Sequence, residues 1–294
     1  MWEVNRACPG IERDASWCVD PRGIPVHPPW VSPKPLWSEL AAFERRLARA
    51  SQLRLATDFD GTLAHIVRLP KMAVVRPRAK LALTRLARLP RARVALVSGR
   101  RLSDLALRAG VPGVYLAGLL GIETRPPGLR GRRVNLRPGQ RVPHSLVREL
   151  EEWCRAFPGS WIESKGWSAA VHYRAVPASR TAAFGAGVRA LVRRHGDTAE
   201  LAVAKRAFEV RPRGAPGKAE TLGRWLGERT NGTLALFIGD DDLDEEAHDL
   251  VQRRGGIGIL VGRRPSRARY RLDDPDEVAR FLDWLEHRWR ARVL

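Results

Sequence analysis

Four short segments carry residue types that could do phosphoryl chemistry. The first is LATDFDGTL, Leu55 to Leu63. An apolar run ends in Asp58, Asp60 follows two residues on, and Gly61 and Thr62 come next. In open α/β sheets the reactive groups lie beyond the carboxyl ends of strands, and Asp58 stands at such an end. A carboxylate there can attack phosphorus to give an aspartyl phosphate. A second one nearby can protonate the leaving oxygen and later activate water, which is the candidate role of Asp60. Gly61 lets the chain turn sharply, and the Thr62 hydroxyl can hydrogen-bond a phosphoryl oxygen. The plainer alternative is an aspartate-rich turn that caps a helix.

The second segment is VALVSGR, Val94 to Arg100. Ser98 sits where a buried strand ends and a helix begins, so its hydroxyl and the backbone N–H groups there could hold a phosphoryl oxygen. A serine in that place also serves as an ordinary N-cap. In the third, APGKAETL, Lys218 opens a helix after a Pro/Gly loop, from which its ammonium can reach a phosphate as a point charge. Alone, it reads as a surface lysine. The fourth is LALFIGDDDLDEEA, where a strand ends in Gly239 and Asp240, Asp241, Asp242 and Asp244 follow. Carboxylates so close repel unless a cation or hydrogen bonds hold them. Magnesium takes hard oxygen ligands, commonly one or two carboxylates with substrate phosphate and water. The helix macrodipole would account for two aspartates at a helix start but not for the whole cluster.

The elements that must position these groups alternate in type. A helix is expected over residues 38–51, a strand over 53–57, a helix after Pro77 and a strand over 94–97. Late in the chain come a helix from Lys218, a strand over 234–238, a helix over 243–253, a strand over 256–261 and a closing helix from Pro275. Alternation of this kind predicts an α/β, Rossmann-like parallel-sheet core with helices on both faces. Between residues 124 and 211 the strands crowd together, at 161–163, 169–174, 201–204 and 207–211, with helices near 145–156 and 179–195. Lys205 and Arg206 read as a hairpin turn. That stretch is expected to be an inserted α+β cap. The domain reading is an irregular arm over 1–37, core over 38–123, cap over 124–211 and core again over 212–294. The arm is rich in proline and could dock through Trp17, Trp30 and Trp37.

Strand alternation in the insert places Ser168, His172 and Arg174 on one face, and Glu209 with Arg211 on one face of another strand. Glu163 and Lys165 are likewise two apart. Such a face could grip sugar hydroxyls and a phosphate, and a solvated outer face would show the same pattern.

All four segments occur in the order Asp-Asp, Ser, Lys, Asp-Asp, and together they resemble the haloacid dehalogenase superfamily of phosphohydrolases. The stretches IESKGWSAAVHYR, AFEVRPRGAPGKAETL and FIGDDDLDEEA, with GLLGIE at Gly118 to Glu123, resemble the trehalose-6-phosphate phosphatases. That family commonly has a histidine where this chain has Leu120, and a threonine where it has Leu243. The resemblance implies Asp58 as nucleophile, Asp60 as acid/base, and Ser98 and Lys218 on the phosphoryl group. It also implies magnesium held by Asp58, Asp240 and the Asp60 main-chain carbonyl. Thr62, Gly99, Arg100, Glu163, Lys165, Ser168, His172, Arg174, Glu209 and Arg211 would then bind substrate. Sucrose phosphate and glucosyl- or mannosyl-glycerate phosphates are the alternative substrates.

Composition bounds what else the chain could be. It has 294 residues, 44% of them hydrophobic, enough for a substantial core. Three cysteines without a CxxC pair argue against a disulfide framework or a zinc site. With no long apolar run and no signal-like start, the expectation is a cytoplasmic monomer that does not engage membranes. The net charge is +20, and only six of the 52 basic residues are lysine. The excess suits an anionic partner, yet the arginines lack an aromatic-interleaved motif, so no specific nucleic-acid binding is expected.

Overall fold

The computed structural model describes residues 30–67, 69–204, 207–228 and 231–294. The first part of the core holds β1 (Lys34–Pro35), α1 (Leu40–Arg49), β2 (Gln52–Thr57), α2 (Pro77–Leu86) and β3 (Ala92–Val97). It continues through α3 (Leu102–Ala109), β4 (Tyr115–Gly118), β5 (Glu123–Arg125) and β6 (Arg133–Val134). The insert contributes α4 (His144–Arg155), β7 (Trp161–Ser164), β8 (Ala169–His172), α5 (Ala178–Arg194), β9 (Ala199–Ala204) and β10 (Ala207–Pro212). The chain returns through α6 (Lys218–Leu226), β11 (Thr233–Gly239), α7 (Glu245–Arg253), β12 (Ile257–Val261), β13 (Tyr270–Leu272) and α8 (Pro275–Val293).

Among the described residues, nine strands form the core sheet in the order β1-β13-β12-β11-β2-β3-β4-β5-β6. Pairing is parallel from β1 through β4, and β5 and β6 extend that edge antiparallel. Strand alternation sorts the side chains into two layers. Leu53, Leu55, Leu236, Ile238 and Ile259 pack against Phe43 of α1, Leu83 of α2, Leu105 of α3 and Phe281 of α8. Ala56, Ala95, Ala235 and Phe237 face Leu222 of α6 and Ala247 and Val251 of α7. Burial on both faces explains why β11 reads as a nearly unbroken apolar run. Each fully buried Leu or Phe there contributes about 1.5–3 kcal/mol. The closing helix starts where expected because Pro275 occupies its first turn and Asp274 accepts hydrogen bonds from the Asp276 and Glu277 N–H groups.

The cap is a four-stranded antiparallel sheet, β7-β8-β10-β9. Its inner face carries Val171, Phe208 and Val210 against Leu146 and Leu150 of α4 and Phe184 and Val188 of α5. The opposite face turns toward the core.

Several expectations move. The core sheet runs on through β6 to Val134, beyond the boundary expected at residue 123, because strands this short show no periodicity. Residues 34–37 belong with the core rather than the arm: β1 pairs with β13, and Trp37 meets Phe281 edge-on with centroids 6.4 Å apart. Trp30 is exposed, beneath the Arg264 guanidinium. The strand expected over 169–174 stops at His172, where the Val176 N–H turns back to Tyr173 O. The helix expected from Leu243 starts instead as a 3₁₀ turn over Asp242–Asp244. The hairpin turn at Lys205 and Arg206, like the docking of Trp17, lies outside the described residues. Among those described, no helix is long and apolar enough to cross a membrane.

Candidate active site

Adjacent parallel strands deliver the two acidic motifs side by side. Asp58 follows β2, and its N–H donates to Ile238 O of β11 at 2.8 Å. Asp240 follows β11, and both aspartates are buried. The loop after β2 passes so close to Asp240 that a Cβ on Gly61, at φ +77°, would stand 2.2 Å from Asp240 Oδ2. Only glycine meets both demands there.

Lys218 occupies the first turn of α6 and is buried. Its Nζ lies 2.6 Å from Asp244 Oδ1 and 3.1 Å from Asp58 Oδ1. Asp244 also accepts the Asp241 N–H with Oδ2 at 2.9 Å, closing a reciprocal cap with the Asp241 side chain. Burial raises the Asp58 carboxyl well above its ordinary range; Lys218 opposes this, and Asp244, Asp240 and Asp60 reinforce it. For Lys218, burial pulls downward, but Asp244 and Asp58 outweigh it and hold the ammonium above its ordinary value. One oxygen from each of Asp58, Asp240 and Asp244 lies within 4.8 Å of the other two. Three buried carboxylates facing one ammonium form a hard-oxygen donor set with excess negative charge, which fits a divalent cation such as magnesium.

Ser98 follows β3, and its Oγ accepts the Arg100 N–H at 3.2 Å. The N-terminus of α3 is satisfied from a distance: Glu123 Oε2 accepts the Leu102 N–H at 3.0 Å. This gives the GLLGIE segment a structural part. Leu119 and Leu120 both take left-handed φ, 52° and 60°, and Leu120 O accepts Thr221 Oγ1–H at 2.9 Å. Leu120 thereby forms an apolar wall of the cavity. Asp60 turns its carboxylate to the Arg100 guanidinium, which takes both oxygens at 2.7 Å.

The cavity between core and cap has a volume of about 440 Å³. Asp58, Asp60, Ser98, Gly99, Lys218 and Asp240 line its core side, together with Arg100. From the cap come Trp161, Glu163, Lys165, His172, Arg174 and Glu209. Glu163 and Glu209 flank the small Ala170 across β7-β8-β10. His172 Nε2 lies 3.1 Å from Glu163 Oε2, and the ring stacks on Trp161 at 4.1 Å. Hydrogen bonding from His172 lowers the Glu163 carboxyl below its ordinary value, against burial. Lys165 is buried and donates to Glu209 Oε1 at 2.7 Å and to Gly99 O at 2.9 Å, joining cap to core. Arg101 adds a second tie, to Ser164 O at 2.7 Å.

Three expected site residues are not brought to the cavity. The Thr62 hydroxyl is fully buried beneath the loop, with no hydrogen-bond partner among the described residues. Ser168 is buried beside β8, where its carbonyl accepts the Lys165 N–H. Arg211 pairs with Glu200 and donates to Ala215 O at 2.7 Å and Pro216 O at 3.3 Å, bracing the loop that leads to Lys218. Sequence reasoning did not single out Asp104, Arg101 or Trp161. Alternation with Glu163 would have flagged Trp161; nothing local flags the other two.

A parallel sheet with paired aspartates after a central strand, a lysine and further aspartates after later elements, and an inserted α+β cap define a haloacid dehalogenase-type fold. The C-terminal domain of C. albicans trehalose-6-phosphate phosphatase has this architecture, with a TM-score of 0.76 at 19% identity, over 88% of this chain and 99% of that one. The trehalose-phosphatase family model matches residues 56–276, and the chain belongs to that family. A trehalose-phosphate phosphatase of Mycobacterium tuberculosis (strain H37Rv) is 34% identical over 83% of this chain, which spans 64% of that relative's length. Probable trehalose-phosphate phosphatase J of Arabidopsis thaliana is 32% identical over 87% of this chain and 73% of its own.

Proposed function

We propose that the chain is a magnesium-dependent phosphatase that hydrolyses trehalose 6-phosphate to trehalose and phosphate through an aspartyl phosphate on Asp58. The observation that carries this reading is one cavity with two unlike sides. Its core side offers a buried carboxylate, an ammonium and hard-oxygen ligands, and its cap side offers fixed hydrogen-bonding groups.

Asp58 attacks phosphorus, and the bond from phosphorus to the sugar oxygen breaks. Asp60 gives a proton to the departing oxygen and then takes one from the water that hydrolyses the aspartyl phosphate. Lys218 balances the charge of Asp58 and of the phosphoryl group, while Ser98 and the Gly99 N–H hold phosphoryl oxygens. Magnesium, held by Asp58, Asp240 and the Asp60 carbonyl with Asp244 in reach, would neutralise the phosphoryl charge that otherwise repels the nucleophile. Glu163, Lys165, His172, Arg174 and Glu209 bind sugar hydroxyls. A site of fixed donors and acceptors rejects ligands that leave them unpaired, which supports a disaccharide rather than any phosphomonoester.

Phosphate release from a panel of sugar phosphates, with and without magnesium, tests the reading. Release should be greatest with trehalose 6-phosphate and should need the metal. Full turnover in excess chelator contradicts the metal role, and faster release from sucrose phosphate or a glycosyl-glycerate phosphate reassigns the substrate.

A further inference from the structure

We infer that Arg100 is a positioning residue for Asp60 rather than a ligand of the substrate, an inference that rests on the acid/base reading of Asp60 above. Arg100 donates from Nε to Asp60 Oδ2 and from Nη2 to Asp60 Oδ1, each at 2.7 Å. This two-point grip fixes the plane of the carboxylate as well as its position. Nη1 goes to Asp104 Oδ2 at 2.6 Å, and Nη2 also reaches Pro70 O at 2.9 Å. A guanidinium has five N–H donors, so these contacts leave little for a substrate. The group also lies over the Phe59 ring, 5.1 Å from its centroid, between the two aspartates of the first motif.

The clamp is itself held. Arg108 donates from Nε to Asp104 Oδ1 at 2.6 Å, and its Nη1 reaches Lys71 O. The order Asp60, Arg100, Asp104, Arg108 therefore runs from the cavity into α3, with alternating charge at every step. It also pins the 70–72 turn, whose Pro70 lines the cavity. The Asp60 side chain is 42% exposed at the cavity, while that of Arg100 behind it is only 11% exposed. A carboxylate offers about four lone-pair positions. Arg100 occupies two, and the remaining two are open for the leaving oxygen and the attacking water. Misplacement by about 1 Å can cost on the order of 10²-fold in rate, so an orientation held this firmly matters to an acid/base.

The test compares kcat/KM for trehalose 6-phosphate and for p-nitrophenyl phosphate, whose leaving group departs without a proton. Asp60→Asn should lower the sugar-to-aryl ratio by about 10²–10⁴-fold. Arg100→Lys keeps the charge but loses the fork, and should lower the same ratio about 10-fold or more. Asp104→Asn should shift it in the same direction by less. Equal losses on both substrates in the Arg100 variants, with Asp60→Asn still discriminating, overturn the inference and make Arg100 a phosphate ligand or a purely structural residue. Equal losses in Asp60→Asn itself overturn the acid/base reading, and the inference falls with it. Arg100→Lys and Asp104→Asn decide the matter if Arg100→Ala does not fold.

Discussion

The Lys218 ammonium lies 3.1 Å from Asp58 Oδ1, and both side chains are almost wholly shielded from water. Neither charge is tolerable there alone, since removing one partner of a buried pair leaves the other uncompensated. Lys218→Met should therefore cost about 3–5 kcal/mol of stability without metal, besides abolishing turnover. Urea unfolding checks this. A loss below about 1 kcal/mol, the range of an exposed pair, would mean that Lys218 does not neutralise the aspartates.

Magnesium should stabilise the folded chain, because the unfolded chain lacks the juxtaposed carboxylates of Asp58, Asp240 and Asp244. At 100 times its dissociation constant a ligand adds about 2.7 kcal/mol. Asp240→Asn should remove most of that gain. The midpoint of urea unfolding at fixed magnesium is the measurement, and an equal gain in the variant would place the ion elsewhere.

Burial pushes the His248 imidazole down to about 3. The unfolded imidazole takes up a proton near pH 6.5, so folding below that pH must expel it. The stability this neutral histidine contributes is thus complete above about pH 6.5. It is lost as pH falls toward about 3, at up to about 1.4 kcal/mol per pH unit. His248→Gln should flatten this acid limb relative to the parent chain. Parallel profiles for the two proteins between pH 6.5 and 4 would show that His248 stays neutral in neither state or in both.

On the cap, Glu209 grips the buried Lys165 Nζ at 2.7 Å. Glu209→Gln and Glu163→Gln should each lower kcat/KM for trehalose 6-phosphate by about 10-fold or more, by analogy with sites built to bind a hydroxyl. They should change p-nitrophenyl phosphate turnover far less. Equal changes on both substrates would locate specificity outside this face.

Much of this was legible in the chain. Asp58 and Asp240 could be read because an apolar run ending in a carboxylate marks the mouth of a parallel sheet. Glu163, His172 and Glu209 followed from the two-residue period of strands. Alternation gives a face but not a depth: Arg211 sits at the end of β10, where Glu200 and the 215–216 carbonyls take it. Thr62 lies away from the cavity because the turn at Gly61 buries its hydroxyl. Asp104 and Arg108 could not be read, since their role depends on the distance from α3 to Asp60, which no local pattern encodes. The extension of the core sheet past residue 123 had no local signal, because β5 and β6 are too short to show a period.

The most direct test of the account is kcat/KM for trehalose 6-phosphate against glucose 6-phosphate, measured with saturating magnesium. Both supply the same phosphoryl group to Asp58, Ser98 and Lys218, and they differ in the second sugar ring that the cap face would hold. The account predicts that trehalose 6-phosphate is turned over far better, and that Asp58→Asn abolishes turnover of both. Equal values for the two substrates would contradict the trehalose assignment, and wild-type activity in Asp58→Asn would contradict the covalent mechanism.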